Sequence, residues 1–336
     1  MQRLKPSDYS LLERLFSLTQ KELKATMGQY LTKNYDKVVN AKKYCYAVGN
    51  IPICLVAHMD TVYPKPIKEL FYDERKNVLW SPDGLGADDR AGVFAILKIL
   101  KAGYRPHIIL TTDEEKGGIG AAALAKKSCP FPELKYMIEL DRQGTNDCVF
   151  YDVYNPDFTD YVEDFGFMEA FGSYSDICEF SPKWKVCSVN LSIGYKNEHS
   201  YSEYLAVGPM FDTIEKVKRM LDEADNAPFF EYREMPYYAN WWKTGSKKNA
   251  ETEKAWAYAY GYPMDDVGDV KCDKCHHWFS EYEMFPVKGL NGETKFYCPD
   301  CLVGNVEWCS ICGEPFEING FENCYDCLEA KNGKTV

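Results

Sequence analysis

Two histidines and five carboxylates stand at the polar tips of successive apolar runs, and together they have the makings of a hydrolytic metal centre. His58 and Asp60 occur in HMDT, Asp88 in GADDRAG, Glu114 and Glu115 in TTDEEKGG, Asp141 in ELDR and His199 in NEHS. Imidazole nitrogen combined with Asp or Glu oxygen is the donor set of catalytic zinc, whereas structural zinc favours sulfur. Singly, each residue has a blander reading: a lone histidine is more often structural, and adjacent glutamates more often cover a solvated helix. Five such tips in succession outweigh that reading. Sulfur supplies a second kind of chemistry further on. Cys272-x-x-Cys275, Cys298-x-x-Cys301, Cys309-x-x-Cys312 and Cys324-x-x-Cys327 provide the ligands for two complete tetrahedral zinc sites of four cysteines each.

The elements that must position these residues follow from apolar periodicity. Residues 7–30 carry Leu11, Leu12, Leu15 and Phe16 at helical spacing, with Ser7 or Asp8 as caps, which predicts one or two helices. Residues 44–48 and 51–57 read as strands around a Gly49-Asn50 turn, the second ending at His58. A loop over 83–86 leads to Asp88 and a buried helix over 93–100. The run 108–110 leads into the two glutamates, and a helix is expected over 121–127. Residues 136–140 form a strand ending in Asp141 and Arg142. Residues 186–193 form another ahead of His199, followed by a helix over 210–221. Alternation of strand, polar tip and helix predicts an α/β fold whose mainly parallel central sheet has helices on both faces. In such sheets chemistry collects at the carboxyl ends of the strands.

Composition narrows the partners. The 336 residues carry a net charge of −12 and a pI near 5.1, the opposite of the concentrated cationic surface that nucleic acid requires. No apolar run reaches eighteen residues, and the first residues lack the apolar segment and cleavage site of a secretory signal, so a cytoplasmic protein without membrane attachment is expected. In a reducing compartment the CxxC pairs point to metal rather than disulfides.

HMDTV, GADDRAG, TTDEE, the strand-terminal Asp141 and NEHS, in that order, resemble the motif set of the co-catalytic di-zinc exopeptidases, the group of peptidase T, carboxypeptidase G and the leucyl and glutamyl aminopeptidases. The likeness spans residues 50–221. It implies that His58, Asp88 and Asp141 hold one zinc, that Asp88, Glu115 and His199 hold the other, and that Asp88 bridges them. It further implies Glu114 as general base, Asp60 as the residue orienting the His58 ring, and a cis peptide at Asp88-Asp89. Two zincs about 3.5–4 Å apart can activate a shared water and polarise a scissile carbonyl, with a neighbouring carboxylate moving the proton. Glu114 and Glu115 can divide these tasks because adjacent side chains point in different directions. Manganese or cobalt could take the place of catalytic zinc. Only 29 residues separate His58 from Asp88 and 57 separate Asp141 from His199, so neither interval holds the lid or dimerisation domain of several relatives. Residues 172–176, ending in Asp176, resemble a loop that some aminopeptidases place beside the site, and an ordinary turn is the equal alternative. Arg142 and Arg90 are candidates for a substrate carboxylate, with ion pairing as the blander role.

The expected organisation is a di-zinc hydrolase domain over residues 1–225, an aromatic-rich segment and linker over 226–270, and a double zinc-ribbon module, with four cysteines for each metal, over 271–336. Two structural zincs would supply the folding free energy that this last part's thin apolar core cannot. His276 and His277 are alternative ligands. With 11 acidic and 6 basic residues from Lys271 onward, the module suits a protein partner better than DNA. The expected activity is aminopeptidase action on small peptides. Deacylation of an acylated amino acid uses the same groups, and a non-catalytic zinc-binding interaction protein on the same fold is a reading of a different class.

Overall fold

The computed structural model describes residues 3–234 and, beyond them, 269–280, 284–290, 292–302, 305–309, 311, 315–318, 320, 323–325 and 327–328. Residues 235–268, which hold most of the expected linker, and Cys312 lie outside this set. The chain separates into two compact units, Met1–Thr244 and Gly245–Val336.

The first unit begins with α1 (Pro6–Phe16) and α2 (Gln20–Asn34), followed by β1 (Lys37–Asn40), β2 (Tyr44–Val48) and β3 (Ile51–His58). After β4 (Phe71–Asp73) and β5 (Val78–Trp80) come α3 (Ala87–Lys101), β6 (Pro106–Thr111), α4 (Ile119–Ala125), β7 (Tyr136–Arg142) and β8 (Asp147–Val149). The remainder is α5 (Pro156–Glu163), β9 (Met168–Glu169), α6 (Ile177–Trp184), β10 (Ser188–Ser192), β11 (Tyr195–Lys196), β12 (Tyr204–Ala206) and α7 (Val207–Asp222). Eight strands form one sheet in the order β1-β2-β6-β3-β7-β10-β8-β9. The four central strands, β6, β3, β7 and β10, run parallel, so their carboxyl ends share one edge. Antiparallel pairings join β1 to β2, β2 to β6 and β8 to β10, which makes the sheet mixed toward its margins.

Buried residues alternate along the strands because successive side chains leave a strand on opposite faces. In β3, Ile53, Leu55 and Ala57 pack into a large core with Leu12, Leu23, Phe94 and Ile214, the face covered by α1, α2, α3 and α7. Cys54 and Val56 pack on the other face with Ala121, Leu124, Ile177 and Phe180 of α4 and α6. α2 is started by a capping box in which Thr19 and Glu22 satisfy each other's backbone donors, a device written in the sequence as T-Q-K-E.

The strands on either side of Gly49-Asn50 do not pair with each other. β6 lies between them, antiparallel to β2 and parallel to β3. Gly49 permits this, since a Cβ there would stand 2.0 Å from the Arg105 carbonyl oxygen. A second, four-stranded sheet in the order β11-β12-β5-β4 was not foreseen from the sequence. Its strands are two or three residues long and come from distant parts of the chain, so local pattern carries little trace of it.

In the second unit, β13 (Asp269–Lys271) and β14 (Trp278–Ser280) form a hairpin. β15 (Phe285–Lys288), β16 (Thr294–Tyr297), β17 (Val306–Trp308) and β18 (Pro315–Glu317) form a sheet in the order β16-β15-β18-β17. No helix among the described residues is long and apolar enough to cross a membrane.

Candidate metal centre

Parallel β3, β6 and β7 bring three polar tips to one edge. β3 ends in His58, which is fully buried, and Asp60 follows it. β6 ends at Thr111, after which Asp113 takes a left-handed turn (φ 58°) and Glu114–Lys116 form one 3-10 turn. The turn is fixed by Asp113, whose carboxylate meets Lys43 Nζ at 2.6 Å and Lys116 Nζ at 3.1 Å, while its N–H donates to Gln20 Oε1 at 2.9 Å. β7 delivers Asp141. At the start of α3, Asp88 and Asp89 have non-helical backbone, and the peptide between them is cis. His199 arrives from the β11–β12 loop with φ 61°, a conformation that few non-glycine residues adopt and that recurs at functional sites.

Two donor groups result. His58, Asp88 and Asp141 offer ligand atoms within 4.8 Å of one another, and so do Asp88, Glu115 and His199. Asp88 belongs to both: its Oδ1 lies 2.9 Å from His58 Nε2 and its Oδ2 lies 3.2 Å from His199 Nε2. Asp141 Oδ1 is 3.5 Å from His58 Nε2, and Glu115 Oε2 is 3.0 Å from His199 Nε2. On the far side of the His58 ring, Asp60 Oδ1 stands 3.4 Å from Nδ1. The two Asp60 oxygens also accept the backbone N–H groups of Glu114 at 3.1 Å and Glu115 at 3.2 Å, so one carboxylate stands between the ring and the acidic pair.

Residues to which the sequence assigned no role hold these groups in place. Glu203 is buried and accepts the N–H groups of Gly86 at 2.8 Å and Asp88 at 3.0 Å, which pins the loop carrying Asp88. Asp89 accepts from His58 N–H at 3.2 Å and Gly92 N–H at 2.9 Å. Asp141 accepts hydrogen bonds from the Ser175 hydroxyl at 3.0 Å and the Tyr195 hydroxyl at 3.1 Å, while Asn190 bonds both polar groups of the Asp141 backbone. No local motif marks Glu203; its neighbour Asp88 is 115 residues away. Asp89 stands beside Asp88 and could have been found as the second acid of the DD pair.

Crowding of acids sets the electrostatics. Burial pushes Glu114 up to about 9, helped by the nearby carboxylates of Asp141, Asp176 and Asp88. Burial likewise raises Glu115 to about 7 and Asp141 to about 6, with Asp88 adding to both. His199 rises to about 9 because its ring bonds Asp88. For His58, burial works downward, yet Asp141, Asp60 and Asp88 hold it well above the usual imidazole range. Several carboxylates thus face one another with two imidazoles as the cationic partners in reach, and Glu115 Oε1 is buried without a hydrogen-bond partner. A divalent cation relieves that repulsion and uses the idle oxygen, so the donor set fits catalytic zinc, three protein ligands at each position with Asp88 common.

Of the other candidates, Arg142 ends β7 next to Asp141 with its buried Nε unpartnered. Asp176 is fully buried and accepts the Thr111 hydroxyl, near enough to His58, Asp141 and Asp60 for their charges to act on it. Arg90 is also buried, its Nη1 donating to the carbonyls of Leu15 at 2.6 Å and Leu18 at 2.9 Å.

In the second unit, Cys272, Cys275, Cys298 and Cys301 gather within 4.8 Å, and Cys309, Cys324 and Cys327 form another such group. The first CxxC pair is therefore grouped with the second, and the described members of the third and fourth pairs with each other. Burial of the Cys272 thiol is outweighed by backbone N–H groups of Cys275, Cys298 and Lys274, which draw it down to about 6, toward the thiolate that binds metal. His276 and His277 are exposed and are in neither group.

Residues 40–166 match the sequence profile of peptidase family M28. No curated protein matches the chain. The fold is similar to a tripeptidase of Staphylococcus aureus (12% identity, TM-score 0.54, covering 66% of this chain and 98% of that one). It is also similar to a TET aminopeptidase from the marine sediment archaeon Thaumarchaeota archaeon SCGC AB-539-E09 (12%, 0.52, 66% and 99%). Aminopeptidase PepT of Bacillus cereus is a third (15%, 0.50, 65% and 98%). These likenesses establish that about two thirds of the chain share the mixed α/β fold of those three structures.

Proposed function

We propose that the first unit is a two-metal aminopeptidase acting on short peptides, and that the observation carrying this is Asp88, one carboxylate reaching two histidines through its two oxygens. The match to the M28 profile and the exopeptidase fold support metal-dependent peptide hydrolysis. His58, Asp88 and Asp141 would hold one zinc and Asp88, Glu115 and His199 the other, with manganese or cobalt able to substitute. When bound, the pair supplies a polarised scissile carbonyl and an acidified water.

The protein's own residues do the rest. Asp60 fixes the His58 ring from its Nδ1 side, so Nε2 faces Asp88 and Asp141. Glu114, held through its N–H to Asp60, stands beside the donor groups without belonging to either. Its carboxylate takes the proton of the attacking water and returns it to the departing amine. Burial and the carboxylates of Asp141, Asp176 and Asp88 raise Glu114 in the metal-free chain, and cations held at the two donor groups would offset those carboxylates and favour the ionised form that accepts a proton. Asp141 is kept in place by Ser175 and Tyr195, and Asp88 by Glu203 acting on its backbone.

In the second unit we propose two structural zincs, the second completed by Cys312. A reducing, cytoplasmic setting suits thiolates kept for metal. The catalytic part is assigned to residues 1–225 and the double zinc-ribbon module to 271–336.

The test is hydrolysis by zinc-loaded protein of a panel of aminoacyl amides, di- and tripeptides, and N-acyl amino acids. Cleavage of peptides with a free amino terminus is expected. Preference for N-acyl amino acids would replace the reading with deacylation, and inactivity on the whole panel with stoichiometric zinc would overturn it.

A further inference from the structure

Beside the metal centre a cavity of about 280 Å³ opens between the α1–α2 connection and residues 61–67. Its size falls near the lower end of small-molecule pockets, typically about 300–1,000 Å³, so it has room for one or two amino-acid residues. Leu18, Val62 and Ile67 give it an apolar side, and Arg90, Lys65 and Lys116 a cationic one.

The cations are arranged rather than incidental. Arg90 is nine-tenths buried and braced by the Leu15 and Leu18 carbonyls through Nη1, while its Nε has no hydrogen-bond partner. An unused guanidinium donor at a buried position is costly unless something accepts from it. Lys116 is steered by Asp113 at 3.1 Å, and it directly follows Glu115 in sequence. Lys65 is exposed on the β3–β4 loop. Asp60 also lines the cavity, but its oxygens already face the His58 ring and the N–H groups of Glu114 and Glu115. The acid on the wall is therefore engaged, and the spare donors belong to cations.

We propose that this cavity is a subsite for the carboxyl-terminal residue of a short peptide, the free carboxylate meeting Arg90, Lys65 and Lys116 and an apolar side chain lying against Leu18, Val62 and Ile67. The inference rests on the peptidase reading and narrows its substrate to di- and tripeptides ending in an apolar residue. It also explains how a chain whose intervals between His58 and Asp88 and between Asp141 and His199 are too short for an inserted lid can recognise the far end of a substrate: the α1–α2 connection supplies the wall. A guanidinium and two ammonium groups around one carboxylate give charge-assisted hydrogen bonds that a carboxamide cannot match.

The experiment is calorimetric binding of Ala-Ala-Leu and of its carboxyl-terminal amide to zinc-loaded Glu114→Gln protein, with and without Lys65→Ala and Lys116→Ala together. Both lysines are exposed, so the doubly substituted protein should fold. The free acid is expected to bind at least about tenfold more tightly than the amide, as befits hydrogen bonds between charged groups, and the ratio should fall to within about threefold when both lysines are removed. Equal binding of acid and amide, binding of neither, or a ratio that survives the lysine substitutions would overturn the subsite. Turnover by the wild-type chain is read separately. Preference for the acid in a chain that hydrolyses no peptide would remove the peptidase reading and leave the subsite, and turnover without preference would do the reverse.

Discussion

Asp60 stands 3.4 Å from Nδ1 of His58, on the side of the ring opposite Asp88 and Asp141. The same carboxylate accepts the backbone N–H groups of Glu114 and Glu115. A single acid therefore faces one imidazole and holds the acidic turn, and its proposed role is to steady both. Asp60→Asn, nearly isosteric, should weaken metal binding by about 10- to 100-fold, the usual cost of losing such support. Competition with a chelator of known affinity measures it. Unchanged metal affinity would remove Asp60 from that role.

Gly92 lies where α3 meets β7, and an added Cβ would stand 2.4 Å from both the Leu140 carbonyl oxygen and Asp89 Oδ1. Backbone cannot yield there as a flexible side chain would. Gly92→Ala should cost about 1–3 kcal/mol by overpacking and disturb the Asp89 contact with the His58 backbone. Urea unfolding at constant m-value reads the first effect, and metal titration the second.

His107 gives a pH dependence away from the metal centre. Its ring is buried in β6, stacks on Phe131 and accepts the Gly49 N–H at 3.0 Å, and burial pulls its pKa down to about 4. The unfolded chain protonates near pH 6.5 and the folded one near 4, so between these values the unfolded state holds more protons. Stability from this residue is therefore complete above pH 6.5 and is lost as pH falls toward 4, up to about 3 kcal/mol. Denaturation at pH 7, 5.5 and 4.5 should show a slope that His107→Gln reduces. An unaltered slope would contradict the assignment.

Cys272 sits with Cys275, Cys298 and Cys301 in one donor group. Cys272→Ser should lower the zinc content by one ion per chain, measured by elemental analysis of purified protein, while the ions at His58 and His199 stay. Retention of every ion would contradict a four-cysteine site there.

Much of the fold could be read from the sequence because β3 and the 108–110 run of β6 are continuously apolar, the mark of strands buried on both faces, and because they and β7 lead into polar tips. That pattern put His58, Glu114, Glu115 and Asp141 at strand ends, and the structure brings them to a common edge. What escaped depends on partners far away in the chain. The insertion of β6 between β2 and β3 is decided by pairing across some sixty residues and by the missing Cβ of Gly49, so a hairpin-like turn in the sequence was misleading. Glu203 works through the backbone N–H of Asp88, and no residue type at its own position announces that. Arg90, a candidate for a substrate carboxylate in the sequence, is braced through Nη1 by two carbonyls of a connection whose proximity only the fold reveals.

The most direct measurement is turnover by Glu114→Gln protein at zinc occupancy equal to the wild type, on any peptide the panel identifies. Glu114 belongs to neither donor group, so the substitution should leave both metal positions filled and keep nearly the same volume. In the proposed mechanism it removes the oxygen that accepts the water's proton and returns it to the leaving amine. Loss of that group should lower kcat by about 10²- to 10⁴-fold. Retention of more than about a tenth of wild-type turnover, outside the range of general-base loss, would contradict the mechanism.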